Sequence, residues 1–297
     1  MKKEDPHQLL KSFFPQKDFF IGIDSDGCAF DTMEIKHKKC FGPHAIAFLG
    51  LKTISVYAVE AWDFINLYSK TRGCNRFLGL IYMVDLLRER PEVSVRDAFL
   101  PDMTPLAEWT RQETRLSNTA LENYAQNAPH PLLDTALQWS VAVNESINKI
   151  VNNIPPFAFV RDSLEKLIQN ADAMVVSSAP LASLQREWGE NGIDKYIRLL
   201  AGQEMGTKTE QLRLAAFGKY EPQKILIIGD APGDLKAARG NDALFYPILP
   251  GREEESWERF YKEGMDRFFN GLYAGEYQDR LLQEFDACLP SVPPWKR

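Results

Sequence analysis

The chain has 297 residues, 44% of them hydrophobic and 26% charged, a balance that excludes wholesale disorder, collagen-like repeats and coiled coil. Thirty-five Lys and Arg against 41 Asp and Glu give a formal charge of −6, so no basic surface is implied for nucleic acid or an anionic membrane. Cys28, Cys40, Cys74 and Cys288 form no CxxC pair, which argues against a zinc site and a disulfide-built secreted scaffold.

At the N-terminus, Met1-Lys2-Lys3 is followed by no apolar stretch, because Lys11, Lys17 and Asp18 interrupt it. No signal peptide is expected. No window approaches the roughly 18 apolar residues of a membrane span, and the expectation is a cytoplasmic protein. Four short apolar runs, Phe19 to Ile23, Ala173 to Val176, Lys224 to Ile228 and Ala243 to Tyr246, are too continuous for half-exposed strands and predict the buried strands of a parallel sheet. Helical patterns at Arg161 to Gln169 and Lys208 to Phe217 precede the second and third runs, the alternation of an α/β, Rossmann-like core flanked by helices.

Between the first two runs nothing resembles a strand. Ala58, Trp62, Ile65 and Tyr68 share one helical face, as do Leu80, Val84 and Leu87, and as do Leu133, Leu137, Val141, Ile147 and Val151. Prolines 101, 105, 129, 131, 155 and 156 punctuate the region. The reading is an all-α cap, residues 33–154, inserted into a core made of residues 1–32 and 155–250. Beyond Gly251, Trp257, Phe260, Tyr261, Gly264, Met265, Phe268 and Phe269 recur at helical spacing. They predict a C-terminal helical extension, 251–297, packed on the core.

The placement of carboxylates carries the chemistry. Asp24 closes the first strand in Ile23-Asp24-Ser25-Asp26-Gly27, and Asp230 closes the third in Gly229-Asp230-Ala231-Pro232-Gly233-Asp234. The C-terminal ends of parallel strands form the ligand-binding edge of such a sheet. Clustered carboxylates there repel one another unless a cation neutralises them, and an all-oxygen set with no His or Cys favours Mg²⁺. Ser177 and Ser178 follow the second strand, and Lys208 opens a helix. Carboxylates, a hydroxyl, a lysine and a divalent cation suit attack on a phosphoryl group.

Over residues 19 to 250 the sequence resembles the haloacid dehalogenase superfamily. Asp24-Ser25-Asp26-Gly27 matches its first motif, Ser177 the second, Lys208 the third and Gly229 to Asp234 the GDxxxD form of the fourth. The resemblance implies that Asp24 is the nucleophile of an aspartyl-phosphate route. It makes Asp26 the general acid and then base. Ser177, with Ser178 beside it and Gly27 in the first motif, would bind the phosphoryl group, and Lys208 would bridge phosphate and Asp24. Mg²⁺ would be held by Asp24, the Asp26 main-chain carbonyl and Asp230, with Asp234 acting through water. Cys28 departs from the family's usual Thr or Val.

The resemblance implies that Asp26 points to phosphate esters, because members that cleave carbon–halogen bonds or phosphonates typically lack a carboxylate at that place. Lys70-Thr71-Arg72-Gly73-Cys74-Asn75-Arg76 resembles the cap loop of β-phosphoglucomutase-like members, which would bring Arg72 and Arg76 to the distal end of a small phosphorylated substrate. The expectation is an Mg²⁺-dependent phosphomonoester hydrolase, with a phosphomutase or a non-catalytic binding protein as the alternatives.

Overall fold

The computed structural model describes Pro6–Arg96 and Ala98–Lys296. The chain divides into two compact units, one running to Met33 and resuming over Asn153–Leu289, the other spanning Glu34–Asn152 and resuming at Pro290.

The first unit is built on five parallel strands: β1 (Phe19–Ile23), β2 (Ala171–Val176), β3 (Leu199–Ala201), β4 (Ile225–Gly229) and β5 (Leu244–Pro247). Their order is β3-β2-β1-β4-β5, and every pairing is parallel. Four correspond to the apolar runs of the sequence; β3 does not. At three residues it is too short to show a period, and it pairs on one side only, at the sheet edge. β1 lies at the centre, so Asp24 emerges between β2 and β4.

The sheet is apolar on both faces, as parallel sheets with covering helices must be. Ile21, Ile23, Val175, Ile228 and Tyr246 face one core with Trp188, Trp257 and Phe260. Phe20, Met174, Val176, Ile227 and Phe245 face the other with Leu212 and Phe285. The C-terminal aromatic face lies on the first of these cores. Its helix runs through a π-turn at Phe260–Gly264, which absorbs one extra residue between Glu253–Arg259 and Met265–Phe269. Trp257, Phe260, Met265 and Phe268 are buried, while Tyr261 and Phe269 are only partly covered.

The second unit is helical; among its described residues there is no strand. Its main helices are Ser55–Leu67, Arg76–Arg88, Thr104–Gln112, Asn118–Asn127 and Pro131–Ile150. Trp62, Phe77, Trp109 and Trp139 form its fully buried aromatic centre. One expected stripe is corrected. Val141 is 44% exposed, and the long helix instead buries Leu133, Ala136, Trp139, Val143 and Ile147. Steps of four residues advance about 40° beyond a full turn, so two in succession from Leu133 carry Val141 off the face.

The chain's last residues are also corrected. The sequence placed all of 251–297 on the α/β core, but Pro290 onward groups with the helical unit. The Arg90 guanidinium explains this. It lies 4.7 Å from the Tyr57 ring and 4.3 Å from the Trp295 ring, with Glu60 Oε2 at 2.5 Å. Trp295 also meets Phe64 edge-on at 5.7 Å, and Lys70 N donates to Pro290 O at 3.3 Å. A desolvated Arg over aromatic faces is worth up to about 2 kcal/mol per pair.

Candidate active site

The loop after β1 is a tight coil. Asp24 N donates to Ile228 O at 2.9 Å, and Ser25 O accepts from the amides of Cys28, Ala29 and Phe30. Gly27 turns the chain with φ of +78°, where a side chain would be strained. Two tryptophans hold this coil from behind: Trp188 Nε1 donates to Ser25 Oγ at 3.0 Å and Trp257 Nε1 to Cys28 O at 2.8 Å. Cys28 is fully buried. Burial, with Asp230 and Asp24 nearby, pushes its thiol well above the usual range, so it acts as a small apolar residue beneath the site.

Asp24, Asp230 and Asp234 converge. Each is buried, and one carboxylate oxygen from each lies within 4.8 Å of the others. Lys208 Nζ reaches Asp24 Oδ1 at 2.9 Å and Asp234 Oδ1 at 2.5 Å. Asp234 Oδ2 accepts from Ala231 N at 3.1 Å, closing the turn after β4. Burial raises the Asp24 pKa well above a normal carboxyl; Lys208 opposes that, while Asp234 and Asp230 reinforce it. Burial alone would lower the Lys208 pKa, but Asp234 and Asp24 outweigh it and hold the ammonium above its ordinary range. Lys208 therefore stays charged, and one ammonium faces three buried carboxylates.

That imbalance is the test of whether a cation fits. Ionised together, the three aspartates leave two net negative charges in a water-poor site, and a divalent cation with oxygen ligands would neutralise them. The residues present fit Mg²⁺.

Gly229 makes the approach of Asp234 possible. A Cβ placed on it would lie 2.4 Å from Asp234 Cβ and 2.7 Å from Asp234 Oδ2. Gly229→Ala is therefore expected to push the aspartate off Lys208. A displacement of about 1 Å is enough for a 10²-fold loss of turnover, and initial rates together with the thermal midpoint will show whether the site or the whole unit has yielded.

Asp26 is not among the three carboxylates whose oxygens converge within 4.8 Å. Its Oδ1 accepts a short hydrogen bond from Thr32 Oγ1, and Thr32 is fully buried. The sequence reading did not single out Thr32. A Thr that begins a helix six residues after an aspartate was the available signal. Ser177 is buried at the end of β2, where its Oγ accepts from Ala179 N at 3.1 Å, leaving the O–H proton to donate. Ser178, the neighbour, is exposed.

Arg72 and Arg76 are engaged inside the helical unit. Arg72 is buried and donates from Nη1 to Leu67 O at 2.7 Å. Arg76 Nη1 donates to Ser140 Oγ at 2.9 Å and Asn144 Oδ1 at 2.7 Å, and its guanidinium lies 4.9 Å from the Phe41 ring. Burial lowers the Arg76 pKa to about 10. The Arg76 guanidinium ties two helices together, and Arg72 closes the turn onto the end of the helix before it, work that the sequence motif did not reveal.

No protein-family model matches the chain, and no curated protein matches it. Solved structures do resemble it. A hydrolase of the haloacid dehalogenase-like family from Streptococcus pneumoniae shares 14% identity over 82% of this chain and 90% of its own, with a TM-score of 0.46. A predicted phosphoglycolate phosphatase from Haemophilus somnus shares 16% over 80% and 88%, at 0.43. L-2-haloacid dehalogenase from Xanthobacter autotrophicus shares 12% over 90% and 86%, at 0.39. The chemistry of the site is read from its own side chains.

Proposed function

We propose that the protein is an Mg²⁺-dependent phosphomonoester hydrolase of the haloacid dehalogenase superfamily, acting on a small phosphorylated metabolite through an aspartyl-phosphate. The observation that carries this reading is Asp24, a strand-end carboxylate paired with Lys208 at 2.9 Å and clustered with Asp230 and Asp234. A structural ion pair has no need of two further buried carboxylates around one lysine, whereas a site that holds a divalent cation against a phosphate dianion does. Asp24 and Asp230 would hold Mg²⁺, with the Asp26 carbonyl and Asp234 completing its surroundings. When bound, the ion supplies positive charge against the phosphoryl oxygens.

The chain's own residues divide the work. Lys208 favours the ionised form of Asp24 against the desolvation that raises its pKa, and a cation held beside it would favour that form further; as the carboxylate, Asp24 would attack phosphorus. The departing oxygen takes a proton from Asp26, which Thr32 holds in place. Asp26, now a carboxylate, removes a proton from water; the resulting oxygen attacks phosphorus, freeing inorganic phosphate and restoring Asp24. Ser177 donates its O–H to a phosphoryl oxygen.

The direct test is phosphate release from a panel of sugar, polyol and other small phosphomonoesters with and without Mg²⁺. Metal-dependent release supports the reading and ranks the substrates. No release from any ester by folded, Mg²⁺-supplied protein rejects it; phosphate moved within one sugar phosphate without release identifies a mutase. Asp26→Asn separates the two half-reactions. Alkyl esters need the proton and are expected to slow by about 10²- to 10⁴-fold. With p-nitrophenyl phosphate the first step needs no acid while the second still needs the base. The expected trace is a burst of about one nitrophenol per chain followed by slow turnover.

A further inference from the structure

Beyond the residues that face the carboxylate cluster, one buried amide holds two of the connecting segments around it. The helix Lys208–Ala215 is started by a reciprocal cap, in which Thr207 Oγ1 accepts from Glu210 N and Glu210 Oε2 accepts from Thr207 N. The next residue, Gln211, is fully buried. It lies three positions after Lys208, on the same side of the helix. Its Nε2 lies 3.1 Å from Ser177 O, 2.9 Å from Gly202 O and 3.1 Å from Gly206 O.

The first carbonyl belongs to the loop after β2, and the other two to the single segment that joins β3 to the Lys208 helix. Carbonyl oxygens only accept, so the amide must present its nitrogen to them, with two hydrogens shared among three acceptors. Its Oε1 is buried and accepts from no donor among the described residues. The side chain is thus held wholly by what its nitrogen gives.

The two segments are already stitched to each other. Ser177 N donates to Ala201 O at 3.0 Å, and Gln203 N to Ala179 O at 2.9 Å. They meet backbone on backbone at Gly202, where a Cβ would lie 2.7 Å from Leu181 N. The second of these segments runs on into the Lys208 helix, and Gln211 adds a side-chain link from that helix directly to the Ser177 loop.

We propose that Gln211 is a positioning residue that fixes the Ser177 loop against the Lys208 helix, so that the serine donor and the lysine address the same phosphoryl group. This rests on the phosphoryl-transfer reading for its consequence in turnover, but not for its consequence in loop order. Gln211→Met keeps the length and removes the N–H donors. It is expected to lower kcat/KM about 10- to 100-fold, the scale of lost positioning contacts. In a Ser177→Ala background the same change should add no more than about 3-fold, because the group it positions is gone.

Gln211→Glu provides a rescue that packing alone would not. A protonated carboxyl can donate one hydrogen to the carbonyls; an ionised one repels them. Burial and the carbonyl oxygens raise the pKa of such a group. Its activity relative to the wild type at the same pH should therefore be high at low pH and fall as pH rises.

The experiment is the four-way comparison of wild type, Gln211→Met, Ser177→Ala and the double variant, with the pH profile of Gln211→Glu and amide exchange on each. Equal losses from Gln211→Met in both backgrounds, with no pH-dependent rescue, would reduce Gln211 to a packing residue and overturn the proposal. If the wild type shows no Asp24-dependent turnover, the functional reading fails by itself and amide exchange decides the remainder. The amides of Ser177 and Gln203 are expected to exchange at least about 10-fold faster in Gln211→Met, with those of the Lys208 helix unchanged. Unaltered exchange at Ser177 and Gln203 would overturn the positioning role.

Discussion

Asp24→Asn is expected to abolish ester hydrolysis, by on the order of 10⁴-fold or more, while leaving the chain folded and at least as stable at neutral pH. The amide keeps the shape of the side chain but cannot attack phosphorus, so no aspartyl-phosphate forms. The stability expectation follows from the direction of the Asp24 shift. Its pKa in the folded chain lies well above the normal value, with burial as the main cause. In an unfolded chain the group ionises near pH 4, so as pH rises past that value the folded state increasingly carries the penalty of a buried charge. Asparagine carries none. The change also relieves the repulsion from Asp230 and Asp234, and Lys208 retains Asp234 at 2.5 Å. Phosphate release and thermal midpoints of both proteins at pH 5 and pH 7.5 make the comparison. A variant that loses activity and also melts far below the wild type at pH 7.5 would show that Asp24 is mainly a structural ion partner.

The sheet and the carboxylates were legible because both are written locally. Parallel strands buried on two faces show as continuous apolar runs, and a strand-end aspartate is simply the first charged residue after one of them. Asp230 and Asp234 sit four apart across a turn into a helix, so their joint approach is set by local geometry with Gly229 beneath. β3 escaped because three residues cannot display a period. Gln211 escaped for another reason: it matters through contacts with chain segments that spacing does not reveal, whereas Thr32 lies only six residues from Asp26 and its spacing went unread. A Gln on an amphipathic helix reads as an ordinary polar residue until the fold surrounds its nitrogen with carbonyls from 34 and 9 residues away. The motif around Arg72 and Arg76 shows the opposite hazard. Residue types that suit anion recognition here make contacts inside the helical unit, Arg76 between two helices and Arg72 across its own turn. The final segment misled because Trp295 follows an aromatic helix that packs on the α/β core, whereas the partner that holds it, Arg90, is some 200 residues earlier in sequence.

Lys208→Met should give the largest loss of stability of any single change at the site, and the loss should depend on Mg²⁺. The methionine occupies similar volume but leaves Asp24 and Asp234 without their ammonium partner, with Asp230 beside them. Removing one member of a buried ion pair costs about 3–5 kcal/mol; with a midpoint shift of roughly 2–4 °C per kcal/mol for a unit of this size, a fall on the order of 10 °C is expected without metal. Lowering the pH should shrink the deficit, because the carboxylates then take up protons and shed the charge that repels them. Adding Mg²⁺ should restore more stability to the variant than it gives the wild type, since the ion takes over the counter-charge lost with the lysine. Turnover should stay at least about 10²-fold down even with metal saturating, because Mg²⁺ does not replace the ammonium that spans Asp24 and Asp234. Thermal midpoints of both proteins through an Mg²⁺ titration measure the coupling directly. Equal stabilisation of the two by Mg²⁺ would mean that the cation binds away from these aspartates. A midpoint unchanged by the substitution in metal-free buffer would mean that the carboxylates are already neutral in the folded chain, and that Asp24 needs the metal, not Lys208, to become a nucleophile.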